Sequence, residues 1–274
     1  MKIKNISIIL IALFISSTII AQDFQGIATY KSHRKVDLKM GDEEMSDEMQ
    51  ERLQEQLRKQ FQQEYTLVFN KNESVYKQNE KLEAPAPAQS GDMVIQIQQG
   101  SDIMYKNIKE NRYSNKAEIF GKQFLIKDNL SNREWVLVNE TKNIGKYACF
   151  KATFTEDVET QALNEKNELT SETVERTSSV WYTPQIPVNN GPGQFHGLPG
   201  LILEVNDGDL TLVCSKIVLN PEEEVKIVEP SKGKVVKQAE FEDIMDKKSA
   251  EMMESFQTRN AHGDGERRMI RIGG

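Results

Sequence analysis

The chain has 274 residues, of which 28% are charged and 38% hydrophobic, and its net charge is −7. That acidic balance disfavours nonspecific attachment to nucleic acid or to anionic membrane surfaces. Three histidines, at positions 33, 196 and 262, lie too far apart in the chain to argue for a metal site from spacing.

Residues 1–21 read as a secretory signal peptide, with Lys2 and Lys4 ahead of the apolar stretch Ile6–Ile20 and Ala21 at the expected cleavage point. The apolar stretch is roughly 15 residues, short of the ~20 that a spanning helix needs. No cysteine follows Ala21 to take a lipid anchor. Loss of the two lysines takes the net charge to −9, and the chain is expected to be periplasmic or secreted and not membrane-spanning. Residues 22–260 read as a single β-rich domain, because no long linker divides them. Residues 261–274, with Arg267, Arg268 and Arg271, read as a flexible basic tail.

Phe24–Val36 alternates loosely and is predicted as the first strand, with His33 an exposed strand residue. Asp42–Glu64 changes period. Met45, Met49, Leu53, Leu57 and Phe61 recur every four residues, acids open the segment and Arg58-Lys59 near its end complement the helix dipole. An amphipathic helical insertion is therefore expected near 42–64, covering the sheet or docking a partner. Tyr65–Asn70 and Glu73–Gln78 form a hairpin around Lys71-Asn72, and Leu82–Asp92 reads as a Pro/Ala loop. Ile103–Asn107, Arg112–Ile119 and Lys122–Lys127 continue a meander punctuated by Gly121 and Asp128-Asn129.

Trp135–Glu140 and Lys146–Thr155 are predicted strands joined by a polar turn ending in Gly145, and the acidic segment Glu156–Glu172 reads as a hairpin loop. Thr173–Thr183 returns as a strand. Trp181–Val205 then gathers four of the eight prolines and four of the sixteen glycines. Leu198-Pro199-Gly200-Leu201 reads there as a type II turn, with Gly200 at its third position. Leu201–Asn206 and Asp209–Leu219 make a hairpin around Asp207-Gly208. Val225–Val228 reads as a short edge strand and Glu240–Thr258 as a second amphipathic helix, with Phe241, Ile244, Met245, Met252 and Phe256 on one face.

Two strings carry a family resemblance. One is Gly197-Leu198-Pro199-Gly200-Leu201-Ile202; the other is Ile144–Thr153, a Gly-aromatic-x-Cys pattern running into Lys-Ala-Thr. Together they resemble the GLPGLI family of small extracytoplasmic proteins of Bacteroidetes-type bacteria, most clearly from about Tyr105 onward. The resemblance implies an exported protein of unestablished biochemical role, associated with outer-membrane receptors of the TonB-dependent type.

Motifs for known chemistry are missing: no G-x-S-x-G elbow, H-E-x-x-H, C-x-x-C, phosphate-cradling loop or EF-hand loop occurs. No cofactor is expected. Cys149 and Cys214 are either a disulfide, closing a loop worth roughly 4 kcal/mol in the chain-entropy model, or two buried thiols. A nucleophilic pairing of either with His196 is disfavoured in an oxidising compartment. Trp181, Tyr182, Phe195 and His196 are the candidate recognition surface, Trp181 and Leu198 having the competing reading of core plugs. Glu204 either turns inward or marks the exposed face of its strand, the latter preferred. The fold class expected is mainly β (α+β), a curved antiparallel sheet or half-open barrel with two amphipathic helices packed on it. The function expected is a non-enzymatic binding, carrier or accessory module for an envelope protein or an apolar ligand. The alternative is an envelope hydrolase with a carboxylate-based site.

Overall fold

The structure, a computed structural model, describes residues 24–34, 62–79, 88–90, 93–98, 102–119, 121–163, 169–261 and 269–273. Its strands are β1 (Gln25–Arg34), β2 (Glu64–Asn70), β3 (Glu73–Gln78), β4 (Ala88–Ser90), β5 (Met93–Gln98), β6 (Ile103–Asn107), β7 (Arg112–Ile119) and β8 (Lys122–Asn129). They continue with β9 (Val136–Ile144), β10 (Tyr147–Leu163), β11 (Leu169–Thr183), β12 (Leu201–Asp207), β13 (Leu210–Leu219), β14 (Lys234–Val236) and β15 (Met269–Gly273). One helix, α1 (Gln238–Ala261), is present among the described residues.

Twelve strands form one sheet in the order β14-β8-β7-β6-β3-β2-β1-β13-β12-β11-β10-β9. All neighbours are antiparallel except β14, which joins β8 in parallel through three residues. A separate three-stranded sheet has the order β15-β5-β4. It contains segments expected to be a loop (Leu82–Asp92) and a tail (261–274).

The sheet corrects the expected fold class. It is open and uncurled, since its end strands β14 and β9 do not pair, and a barrel requires that closure. It also carries one described helix where two were expected; the predicted helix near 42–64 lies almost wholly outside the described residues, and Glu64 opens β2. Helix α1 rests on β8 through Phe241, whose ring meets Phe124 edge-on at 5.6 Å, while Met245 is 39% exposed.

Two further expectations change. The acidic segment Glu156–Glu172 predicted as a loop is strand over its described residues 156–163 and 169–172: β10 and β11 stay in register from Phe150–Tyr182 out to Leu163–Leu169. Alternating Thr, Glu and Val suit an exposed two-stranded ribbon, which polarity alone does not distinguish from a loop. Val225–Val228 forms no strand, and Val228 is 69% exposed. Its neighbour Glu229 instead pins the segment, accepting from Arg112 at 3.0 Å and from Ser114 at 2.5 Å. Burial pushes the Glu229 carboxyl up, but the Ser114 hydroxyl and the Arg112 and Lys127 charges outweigh it and hold the group below the usual range.

The segment between β11 and β12 folds back over the sheet. Ile186, Val188 and Leu198 are buried, and the Leu201 N–H donates to Ile186 O at 3.0 Å. The tight turn differs from the expected type II, because Gly200 does not have positive φ. Its N–H donates to Leu198 O at 2.8 Å, a three-residue turn centred on Pro199. Gly200 is required for space: a Cβ there would lie 2.2 Å from Thr183 O. Gly193 has φ +52 but open space around it. Gly200→Ala should therefore cost about 3 kcal/mol through backbone displacement. Gly193→Ala should cost about 1 kcal/mol for the left-handed conformation alone. Urea unfolding of the two variants checks the order.

Candidate functional site

The crossover 184–200 is held from below by one side chain. Lys106 on β6 is fully buried, and its Nζ donates to Gly191 O at 2.8 Å and Phe195 O at 3.0 Å. Burial, and then the Arg133 charge, drive this amine well below the usual lysine range. Around it, Ser74 reaches Asn190 at 3.3 Å, Arg133 donates to Gln194 O at 2.7 Å, and Trp135 donates to His196 O at 2.9 Å. From β1, the Tyr30 hydroxyl donates to Ile202 O at 2.7 Å. The crossover therefore lies on the sheet face itself, with Ile186, Val188 and Leu198 buried against it.

The four residues predicted for recognition do not form one surface. Trp181 packs in one apolar cluster, whereas Tyr182 and Phe195 pack in the other. Phe195 meets Phe154, and Arg133 lies over both rings at 5.3 and 5.1 Å. His196 is buried, with Nδ1 2.9 Å from Gln194 O. Burial moves its pKa down to about 4, the Gln194 carbonyl opposing and the Lys106 and Arg133 charges adding to the fall. A histidine so placed is neutral at pH 7 and a weak base. Cys149 and Cys214 are both buried free thiols, so no disulfide joins them. Burial pushes Cys149 up and Cys214 up to about 12, which removes them as nucleophiles.

Around Trp181, the strand register builds a different constellation. Trp181 stands opposite Lys151 on β10 and Glu204 on β12. The Glu204 side chain is 15% exposed, correcting its preferred placement on an open face. Both its oxygens are engaged: Lys142 donates at 2.7 Å and the Asn206 amide at 3.0 Å, Asn206 being oriented in turn by Thr211 at 3.1 Å. The Lys142 ammonium lies 4.3 Å from the Trp181 ring centroid, and the Lys151 ammonium 5.8 Å. Lys151 is gripped by both oxygens of Glu140, at 2.9 and 3.1 Å. Two carboxylates thus flank one indole, each through its own lysine. Sequence reasoning singled out Trp181 and Glu204 but missed Glu140, Lys142 and Lys151. A period-2 reading of 138–142 puts Glu140 and Lys142 on one face, and only the register brings them to Trp181.

Among the described residues, a cavity of about 590 Å³ lies between α1 and the end of the β7–β8 hairpin. It is lined by Ile119, Phe124 and Ile244 with Lys122, Lys234, Lys248 and Glu251, and so has no facing pair of acids. No described group of acids, histidines and cysteines is arranged to hold a metal. No described helix is long and apolar enough to cross a membrane.

Comparisons with known proteins fall on this segment. A family model described as a protein of unknown function (Porph_ging) matches residues 135–204. That span contains Glu140, Lys142, Lys151, Trp181 and Glu204, as well as both strings behind the GLPGLI resemblance. The family model detected over this span is Porph_ging and not a GLPGLI one, which corrects the GLPGLI resemblance. No curated protein matches. Two solved structures of PNGF-II, in C2 and P21 space groups, are similar at 15% and 14% identity with TM-scores of 0.47 and 0.46. Each match covers 80% of this chain, which spans 32% of the length of those structures. A TM-score below 0.5 transfers neither activity nor site. The correction to the carrier reading has its own physical basis in the self-filled sheet face.

Two outcomes follow from the crossover. Lys106→Met should strand the Gly191 and Phe195 carbonyls and cost about 2–3 kcal/mol, read by urea unfolding. The pH dependence has a definite sign. With the folded pKa of His196 lowered to about 4, the unfolded chain binds more protons between pH 4 and 6.5. Stability should therefore rise with pH across that window, and His196→Asn should flatten the rise in a calorimetric pH series.

Proposed function

We propose that this chain is an exported hydrolase acting at a carbonyl centre, with Glu204 as the general base. The single observation behind the reading is the Glu204–Lys142–Trp181–Lys151–Glu140 row, in which a half-buried, oriented carboxylate stands beside the Lys142 ammonium and the Lys151 ammonium lies near the same indole. Glu204 takes a proton from water as the water oxygen attacks the carbonyl carbon. The Lys151 ammonium, positioned by Glu140, neutralises the negative charge developing on the carbonyl oxygen. When the bond to the leaving nitrogen or oxygen breaks, the proton on Glu204 passes to that atom, and the carboxylate is restored.

The salt bridges favour one substrate class over another. Glycoside hydrolysis needs one carboxyl kept protonated for the leaving group. Here each carboxylate is paired with a lysine, an arrangement suited to amide or ester hydrolysis. Support for export comes from Lys2 and Lys4 followed by the apolar stretch Ile6–Ile20.

The test is a panel of amide and ester substrates, with Glu204→Gln and Lys151→Met beside the native chain. Glu204→Gln should lower kcat about 10²–10⁴-fold with little change in KM, while its melting temperature stays within a few degrees. Equal turnover by Glu204→Gln, or no turnover of any amide or ester by the native chain, would overturn the proposal.

A further inference from the structure

Strand β9 ends the large sheet, with β10 on one side and no described strand on the other. It is nine residues long and its backbone placement leaves one edge unpaired. Such an edge is a template for another strand unless it is blunted. Two of its apolar side chains are open to solvent, Val136 at 63% and Leu137 at 64%.

The sequence along this edge is Val138-Asn139-Glu140-Thr141-Lys142-Asn143-Ile144. By chemical class it reads alike from either end: apolar, amide, charge, threonine, opposite charge, amide, apolar. We propose that β9 pairs antiparallel with β9 of a second copy of this chain, with Thr141 on the two-fold axis. In that register Glu140 stands opposite the partner's Lys142, Asn139 opposite the partner's Asn143, and Val138 opposite the partner's Ile144. Every pair then occurs twice except Thr141 with itself on the axis, as a two-fold interface requires.

The charges select this register. Centring the pair on Glu140 sets carboxylate against carboxylate, and centring it on Lys142 sets ammonium against ammonium, both destabilising. Centring it on Thr141 extends a row already present within one chain. Glu204 holds Lys142 and Lys151 holds Glu140, so the interface adds Lys142 to the partner's Glu140 and continues the alternation of sign.

One feature of the edge ordinarily opposes pairing. Between Val138 and Thr141 the register with β10 shifts, leaving Asn139 and Glu140 with no directly opposed residue on that strand, although the Glu140 side chain still reaches Lys151. Because two residues are inserted, side chains stay in phase, with Val138, Glu140, Lys142 and Ile144 on one face. A single edge strand buries less than a standard interface, so the dimer belongs to the weak, concentration-dependent class.

The inference does not depend on the hydrolase reading, and its readout is mass, not activity. Sedimentation and light scattering of the purified chain over a concentration series should show a monomer–dimer equilibrium. Asn139→Lys with Asn143→Lys places lysine opposite lysine twice and should weaken the dimer about tenfold or more. Asn139→Lys with Asn143→Glu places opposite charges at the same positions and should restore it. Both asparagines are exposed, so melting temperatures should match the native chain. Thr141→Cys should cross-link two copies under mild oxidation, since directly opposed residues have Cα atoms about 4.5–5.5 Å apart. Asn139→Cys, which is not opposite itself, should not. A chain monomeric throughout, a dimer indifferent to the paired lysines, or failure of the Lys/Glu combination to restore it would each overturn the proposal.

Discussion

Lys106 and the two carbonyls it binds are the constraint on which the rest of the molecule depends. The crossover between β11 and β12 has few backbone partners of its own, and a segment lying on an apolar sheet face needs its carbonyls satisfied. One buried amine from β6 meets two of them, and Arg133 and Trp135 meet two more, while Ser74 holds the Asn190 side chain and Tyr30 the Ile202 carbonyl just beyond on β12. Strands far apart in the sheet order are thereby tied to one loop. The cost is a lysine and a histidine held away from water, with their pKa values displaced downward by that burial.

This arrangement also places the molecule's own loop on the part of the sheet face above β1, β3 and β6. Ile186, Val188 and Leu198 fill the sheet face, and Leu201 and Ile202 complete the seal on β12. The face is spent on folding. What remains chemically varied is the rim formed by β9 to β12, where charged residues alternate around Trp181. A site and an interface are both built from that rim because β9 is the last strand: its inner neighbours supply the indole and Glu204, and its outer edge stays unpaired.

Much of the layout was legible in the amino-acid order. Gly121, Gly145 and Gly208 marked turns at which φ is +78, +58 and +57. Period-2 alternation located most strands of the large sheet, and Pro and Gly density located the crossover. Other features were hidden for physical reasons. The β10–β11 arm is polar on both faces, so nothing in its composition separates ribbon from loop. β15 pairs with β5 across most of the chain, and such long-range pairing leaves no local trace. Gly200 was legible as a turn residue but for the wrong reason: it is needed because Thr183 O lies against it, a contact set by packing.

By itself, the sequence determined where the chain turns, which stretches are extended, which side chains favour burial and that the net charge is acidic. These depend on local backbone preferences and on periods of two residues. Tertiary structure alone decided that Lys106 meets the crossover, that Trp181 parts company with Tyr182 and Phe195, and that Glu204 faces Lys142 beside an indole. Each of those rests on which strand lies next to which and in what register, and strand neighbours many residues apart are chosen by the whole sheet.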